Sequence, residues 1–282
     1  VIRNTYIELG GLKVWLFLEI HYKEISMDLK PNPKETVYFV VKVIMTFVVL
    51  LICGFSIAAM SQGTLAIATI TVFIIYAFFI FLFFVIQKIV MIGILKGNGI
   101  KVNEKQFPEV FLEIKNIADK LQMKSVPPVY IIQNGGILNA FATRFCMKDY
   151  VAVYSDVFTM LHKDIGVLKF VIAHEFTHVK RNHMSKRFWT IPSAIIPFLS
   201  PAYSRACEYT ADKYGKYACE NGAENGLLFL AAGKDLYGQV SADNYIETTN
   251  SDRTFVVKFV EKLLSHPMLP KRIQALKIPF HK

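Results

Sequence analysis

A chain of 282 residues is long enough to bury a substantial core, but 53% of its residues are hydrophobic. That fraction excludes an ordinary soluble enzyme unless part of the apolar surface contacts lipid. Lys and Arg outnumber Asp and Glu by 32 to 22, yet the basic residues are scattered and no nucleic-acid-binding motif is present, so the excess favours anionic lipid over nucleic acid as a partner.

Two long apolar runs come early in the chain. Residues 37–60 are apolar apart from Lys42, and residues 64–86 contain no charge. Each run exceeds the roughly 20 residues that an α-helix needs to cross the hydrocarbon layer of a bilayer. Because only three residues separate the runs, we predict an antiparallel transmembrane hairpin, with the amine of Lys42 snorkelling toward the headgroups from near a helix end.

The hairpin divides the chain and orients it. We predict an N-terminal cytoplasmic segment at residues 1–36, the transmembrane hairpin at 37–95 and one domain at 96–282. Basic residues flank the hairpin on both outer sides and concentrate on the cytoplasmic face of membrane proteins, whereas the tight loop has no charge. We therefore expect an integral protein of the cell membrane whose domain faces the cytoplasm. The flanking basic residues are Lys30, Lys34, Lys88, Lys96, Lys101 and Lys105.

The region after the hairpin alternates helical and extended patterns. Residues 108–123 place apolar side chains on one helical face, which predicts an amphipathic helix. Three short runs at 129–132, 137–145 and 150–155, separated by turn-forming residues, predict a small β-sheet. The predicted fold class is therefore α+β and mostly α.

The next predicted helix carries the first residues of chemical interest. Asp164 is a predicted N-cap, and apolar residues then recur at helical spacing as far as residue 180. His174 and His178 lie four positions apart, about 40° from each other around the helix axis, so both imidazoles can reach one zinc ion. Glu175 lies beside them, where a general base is needed. The alternative, a pair of exposed helix histidines, is disfavoured by the apolar surroundings.

A catalytic zinc site takes three protein ligands and leaves a fourth position for water, so a third ligand is required. His183 is rejected, because five residues of continued helix would place it about 140° around the axis from His178. Glu208 is the other candidate, and Asp212 shares its helix face and could orient a ligand histidine. Spacing alone leaves it equally open that Glu208 and Asp212 are an ordinary solvated pair.

Four segments occur in order along the chain. They are Asn139-Ala140-Phe141-Ala142, the His174-Glu175-x-x-His178 motif preceded by Ala173, Glu208-x-x-x-Asp212, and His266-Pro267 followed by Arg272-Ile273. In this order they resemble the HtpX-type and CAAX-prenyl-protease-type membrane zinc endopeptidases. They cover roughly residues 107–273, and jointly they are far more specific than any one motif.

The resemblance implies a zincin-type metalloprotease domain that binds one Zn²⁺ ion. In that domain Glu208 would be the third zinc ligand beside the two motif histidines, and Asp212 would support the site from behind. The resemblance also implies a strand at the edge of the sheet along which an extended polypeptide substrate pairs. The predicted substrate-binding residues on it are Asn139, Ala140 and Phe141.

The motif assigns a catalytic role to Glu175, and the resemblance assigns roles to His266 and Arg272. Glu175 would take the proton of the attacking water and pass it to the leaving amine. His266 and Arg272 would help to bind the charged tetrahedral intermediate, which is where donors contribute most to the rate.

Two features narrow the predicted substrate. Residues 188–203 are apolar but broken by prolines and too short for the additional transmembrane hairpin of HtpX-type relatives, so we expect them to lie at the bilayer interface or to cover the site. Two spans cannot build the seven-helix chamber of the prenyl-protease type. The predicted function is therefore cleavage of membrane or misfolded proteins in quality control. The alternative is a membrane-bound peptide-binding scaffold or chaperone-like protein, with a structural metal or none.

Overall fold

The computed structural model describes residues 30–60, 64–133, 140–219 and 221–278, and these residues form a mostly helical structure with one small sheet. Its helices are α1 (Pro33–Met60), α2 (Thr64–Asn98), α3 (Pro108–Lys120), α4 (Ser155–Phe158), α5 (Met160–Lys163), α6 (Ile165–Lys180), α7 (His183–Trp189), α8 (Leu199–Ala218), α9 (Ala223–Ala232), α10 (Ala242–Ser251), α11 (Phe255–Leu263) and α12 (Leu269–Lys277). Two 3₁₀ helices lie at Ile191–Ile195 and Tyr237–Gln239. The strands are β1 (Ile100–Lys101), β2 (Val129–Ile132), β3 (Ala140–Phe145) and β4 (Lys148–Tyr154).

The two predicted apolar runs form the long helices α1 and α2, both of which are long and apolar enough to cross a membrane. The second helix continues 12 residues past the predicted end at 86, as far as Asn98. Its extension is held by tertiary packing, since Ile92 and Leu95 are buried against Tyr130 and Tyr150 of the sheet. The tight loop predicted at 61–63 lies outside the described residues.

The sheet has the strand order β1-β2-β4-β3. Strands β2 and β4 are parallel, whereas β3 pairs with β4 in an antiparallel hairpin in which Phe141 lies opposite Ala152. Strand β3 is therefore an edge strand, as predicted for the segment that carries Ala140 and Phe141. The predicted strand at 137–145 begins at Ala140 in the described part, and Asn139 lies outside the described residues. The two-residue strand β1 was not predicted.

Helix α6 is the centre of the core, and its bounds agree with the sequence prediction. Asp164 caps it by accepting hydrogen bonds from the backbone N–H groups of Gly166 and Val167. Apolar residues cover most of its circumference, because it packs against α8, α9, α3 and the edge strand β3. A helix surrounded in this way holds the side chains along it in fixed positions.

The first long helix is attached to the domain by polar side chains. Glu35, Lys42 and Thr46 are all buried, and their spacing of seven and four residues places them on one helix face. That face packs against α8 and the 3₁₀ helix Ile191–Ile195. Lys42 was expected to snorkel toward headgroups, but that prediction is wrong, because its amine donates a hydrogen bond to Ser200 Oγ at 2.7 Å.

The apolar stretch at 188–203 forms no additional span. It consists of the end of α7, the 3₁₀ helix and the start of α8. Trp189 and Ile195 are exposed at its surface, beside the face of α1 that the domain covers. This placement is compatible with the predicted interfacial position.

The close approach of α9 to α6 yields a test of the fold. A Cβ added at Gly222 would lie 2.7 Å from Gly166 Cα and would overlap the Gly166 carbonyl group, which is backbone and cannot rotate away. We expect Gly222→Ala to lower the free energy of unfolding by about 1–3 kcal/mol, as overpacking of a core does. The measurement is the Tm of the full chain in detergent. Gly238→Ala is the matched control, because Gly238 is exposed and has no atom within 4 Å of the added carbon. Equal Tm values for the two variants would contradict the packing argument.

Candidate active site

The two motif histidines converge as their spacing predicts. Helix α6 carries both, and their Nε2 atoms lie 3.2 Å apart in a face of the helix that opens into a cleft. Glu175 also lines this cleft and is partly buried. The alternative of two exposed histidines does not hold, because His174 is buried in the interior and His178 is largely covered.

Glu208 approaches the same point from helix α8. One carboxylate oxygen lies 3.3 Å from His174 Nε2 and the other lies 3.5 Å from His178 Nε2. Donor atoms that hold a zinc ion tetrahedrally at about 2.0–2.1 Å are themselves separated by about 3.3–3.4 Å. The three donors therefore fit a metal ion of this size. Among the described residues, His174, His178 and Glu208 form the group whose donor atoms could hold a metal.

Asp212 lies one helical turn after Glu208 and contacts the second ring nitrogen of a motif histidine. Its Oδ1 accepts a hydrogen bond from His174 Nδ1 at 3.0 Å, which leaves Nε2 directed at the donor cluster. Asp212 also accepts two hydrogen bonds from Arg272, at 2.6 and 2.7 Å. Glu208 and Asp212 are both buried, so the reading of a solvated acidic pair is wrong.

Arg272 and His266 reach the site from the C-terminal part of the chain. Arg272 is buried, and besides Asp212 it approaches Glu208 Oε2 at 3.6 Å. His266 lies 3.5 Å from Glu208 Oε1, but its side chain is 64% exposed at the mouth of the cleft. The two residues are therefore placed differently, with Arg272 behind the carboxylates and His266 in front of them.

The cleft has a volume of about 330 Å³ and runs along strand β3. Ala140, Phe141 and Ala142 form one wall, opposite the motif helix. A backbone hydrogen bond from Ala142 reaches the carboxyl group of Glu175, which links the edge strand directly to the predicted base. An extended chain lying along β3 would therefore pass beside Glu175.

The buried charges alter the pKa values of the site residues. Burial acts to lower the pKa of His174, but hydrogen bonds to the carboxylates of Asp212 and Glu208 outweigh it and raise that pKa to about 10. Burial, reinforced by neighbouring positive charge, lowers the pKa of His178 well below its usual value. Burial raises the pKa of Glu175, which favours a carboxyl group that accepts and returns a proton.

Sequence reasoning missed a second layer of contacts. His183 was rejected as a ligand and does not join the donor cluster, yet it is buried and its Nδ1 lies 2.8 Å from His178 Nδ1. The assumption that the helix continues as far as His183 was wrong, because α6 ends at Lys180 and Asn182 adopts a left-handed conformation with φ of 53°. Asn is among the residues that tolerate this conformation best, so Asn182 was a sequence signal for the end of the helix.

Comparison with protein families agrees with this geometry. A family model described as Peptidase family M48 matches residues 104–192 and 188–279, which is more than half of the chain. The chain belongs to Peptidase family M48. The resemblance stated from the motifs is thereby confirmed, and the protein is a membrane-associated metallopeptidase. No curated protein and no solved structure matches this chain.

The metal-free charge state of this M48 site gives a prediction about pH. With a pKa of about 10, His174 is protonated at neutral pH in the absence of metal, and a metal ion can bind only the neutral imidazole. Metal binding should therefore release a proton from His174, and the metal affinity should fall as the pH is lowered.

Calorimetric titration of Zn²⁺ in buffers of different ionisation enthalpy measures the number of protons released. At about pH 6, where a zinc-bound water with a pKa of about 7 still keeps its proton, we expect about one proton per ion. Asp212→Asn removes the charge that helps to raise the pKa of His174, so this variant should release fewer. Binding heats that are independent of the buffer in the wild type would contradict the prediction.

Proposed function

We propose that the protein is a zinc-dependent endopeptidase of the membrane that cleaves extended segments of membrane or misfolded proteins. One observation carries the proposal: two imidazoles and a carboxylate converge in a cleft that also holds Glu175 and runs along the edge strand β3. A hydrolytic metal site needs three donors, a base and an approach for the substrate, and the cleft provides all of these.

The donor set supports zinc. Two imidazole nitrogens and one carboxylate oxygen are donors that zinc commonly takes in hydrolytic sites, and their separations suit its radius. When bound, zinc would supply a Lewis acid that lowers the pKa of a water molecule to about 7 and polarises the scissile carbonyl group. His174, His178 and Glu208 would hold the ion, and Asp212 would orient His174.

Glu175 carries out the proton transfers, and His266 and Arg272 stabilise the developing negative charge. Glu175 takes a proton from the attacking water and delivers it to the nitrogen of the leaving amine. His266, exposed at the mouth of the cleft, donates a hydrogen bond to the oxygen on which negative charge develops. Arg272 adds positive charge from behind Glu208 while it holds Asp212 in place.

Strand addition is the proposed mode of substrate binding. The backbone of an extended polypeptide would pair with β3 along Ala140 and Phe141, and the prediction extends this pairing to Asn139. Pairing through the backbone accepts many side-chain sequences, which suits a protease that acts on misfolded proteins.

A second groove favours apolar substrates. It has a volume of about 760 Å³, lies between α2 and the sheet, and shares Phe141 with the catalytic cleft. Because α2 is long and apolar enough to cross a membrane, this groove would connect the site with the bilayer surface. A substrate segment drawn from the membrane would find an apolar path to the cleft. The groove is lined mainly by Val90, Met91, Ile94, Leu95, Ile132 and Tyr154.

Substitution of the proposed base tests the enzymatic function. Glu175→Gln keeps the size of the side chain but removes its ability to accept a proton, so we expect zinc content to stay the same and cleavage of casein to fall by about 10²-fold or more. The full chain is assayed in detergent, with a chelator as the metal-free reference.

The matched control is Glu247→Gln, the same exchange at an exposed position on α10. This variant should cleave at the wild-type rate. Undiminished proteolysis by purified Glu175→Gln would refute the assignment, and a wild type that binds peptide without ever cleaving it would favour the scaffold alternative.

The proposed topology places the catalytic domain in the cytoplasm. Cys146 is exposed in the turn between β3 and β4, so in a variant that keeps this cysteine alone a membrane-impermeant maleimide should react only after the cells are permeabilised. A Gln62→Cys variant that lacks the natural cysteines should react in intact cells, because residue 62 lies in the predicted outer loop. Labelling of Cys146 in intact cells would overturn the orientation.

A further inference from the structure

A chain of buried polar side chains leads from a motif histidine to the first membrane helix. His178 Nδ1 lies 2.8 Å from His183 Nδ1, and His183 Nε2 lies 3.2 Å from Glu35 Oε1. His183 and Glu35 are each only 1% exposed. Glu35 belongs to the first turn of α1, so a residue at the start of the first long helix is two contacts away from the donor cluster.

The two ring nitrogens of each histidine determine which atom donates a hydrogen bond along this series of contacts. A neutral imidazole has one N–H group, and with a metal ion on Nε2 of His178 that group would be on Nδ1, from which it would be donated to His183 Nδ1. His183 would then carry its own proton on Nε2, 3.2 Å from Glu35 Oε1. Neither histidine would need a charge.

These contacts give His178 a partner for its second ring nitrogen, which His174 has directly in Asp212. His174 donates its Nδ1 proton to the carboxylate of Asp212. Histidines that bind metals almost always donate the second ring N–H in this way, and the partner fixes the orientation of the ring. For His178 the described structure offers His183 in that position, with Glu35 as the carboxylate behind it.

Glu35 shares the docking of the first long helix with other residues of α1. Lys42 and Thr46 lie on the same buried face of α1, and Lys42 already bonds to Ser200 on α8. A buried carboxylate is costly unless charges and hydrogen bonds compensate it. Glu35 is compensated by Arg181 at 3.0 Å and by Lys186 at 3.6 Å, and both of these cations flank His183 in the sequence.

The carboxylate is also incompletely bonded. His183 Nε2 lies 3.2 Å from Oε1 without forming a hydrogen bond of ordinary geometry, and Oε2 has no hydrogen-bond partner among the residues that the structure describes. The location of the carboxylate at the end of the histidine chain points to a role toward His178.

We propose that Glu35 and His183 are positioning residues for His178, so that the first membrane helix forms part of the active site and is more than an anchor. The inference rests on the proposed zinc-dependent function. Substitutions of partners in this position typically weaken metal binding by about 10–100-fold.

The test measures zinc affinity on the full chain in detergent, by competition with a chromophoric chelator. We expect Glu35→Gln and His183→Asn each to weaken zinc binding by about 10–100-fold. The double variant should bind zinc no more weakly than the worse single variant, because the two residues act through one contact on His178. In the casein assay at saturating zinc, kcat should fall while KM stays close to the wild-type value.

Lys42→Met is the matched control, since it removes the other buried polar contact of α1 without touching the histidine chain. It should leave zinc affinity unchanged, even if the metal-free Tm falls. If Lys42→Met weakens zinc binding as much as Glu35→Gln does, the effect is one of helix docking and the inference is wrong.

The remaining outcomes are also decisive. The metal-free Tm identifies a variant that fails to fold, and if Glu35→Gln fails, His183→Asn decides. Zinc binding at wild-type affinity by the folded variants would refute the positioning role and leave the proposed function intact. A wild type that takes up no zinc would instead overturn the proposed function, and the inference with it.

Discussion

The site depends on the crossing of two buried helices, α6 and α8. One presents two imidazoles, and the other presents the carboxylates of Glu208 and Asp212 one helical turn apart. Buried charges of this kind are stable only when each meets an opposite charge or a hydrogen-bond partner. The packing of the two helices is therefore coupled to the pairing of their polar groups, and a shift of either helix would leave a carboxylate uncompensated.

The pairing is asymmetric, and the asymmetry has chemical consequences. Asp212 receives two hydrogen bonds from Arg272 and one from His174, so the pKa of its carboxyl group stays below its ordinary value in spite of burial. The Nδ1 atom of His178 contacts no carboxylate in the described structure and lies 2.8 Å from His183 Nδ1 instead. His174 is thus held through Asp212 of α8, whereas His178 is connected through His183 to the first turn of α1.

The two long apolar helices also pack against the domain that carries the site. The polar face of α1 is buried against the domain over more than two helical turns, from Glu35 to Thr46. The extension of α2 packs on the sheet and forms one side of an apolar groove beside the cleft. Both helices therefore contribute surface to the domain that carries the site, which is the basis for the proposed route of substrate from the membrane.

Local patterns were sufficient for much of this architecture. The apolar runs predicted two long helices, the capping residue Asp164 and the helical periodicity predicted α6 within a residue, and the spacing of His174, Glu175 and His178 predicted their convergence. These features depend on residues close together in the sequence, where helical geometry leaves few alternatives. The M48 resemblance added residues far apart in the chain, and the structure brings Glu208, Asp212, Arg272 and His266 to the site, as that resemblance implied.

Long-range contacts were beyond the reach of the sequence by itself. The sequence around Lys42 predicts a lysine near the end of a membrane span. Its burial and its hydrogen bond to Ser200 result from the packing of α8 against α1, which the sequence does not show. The role of His183 could not be derived from a continued helix, because α6 ends at Lys180 and Asn182 adopts a left-handed conformation. Glu35 lies 146 residues from Arg181, and no local pattern pairs them. The sequence determined which side chains could carry out the chemistry, whereas the tertiary structure decided which of them meet, since burial and compensation of charge are properties of the packed interior.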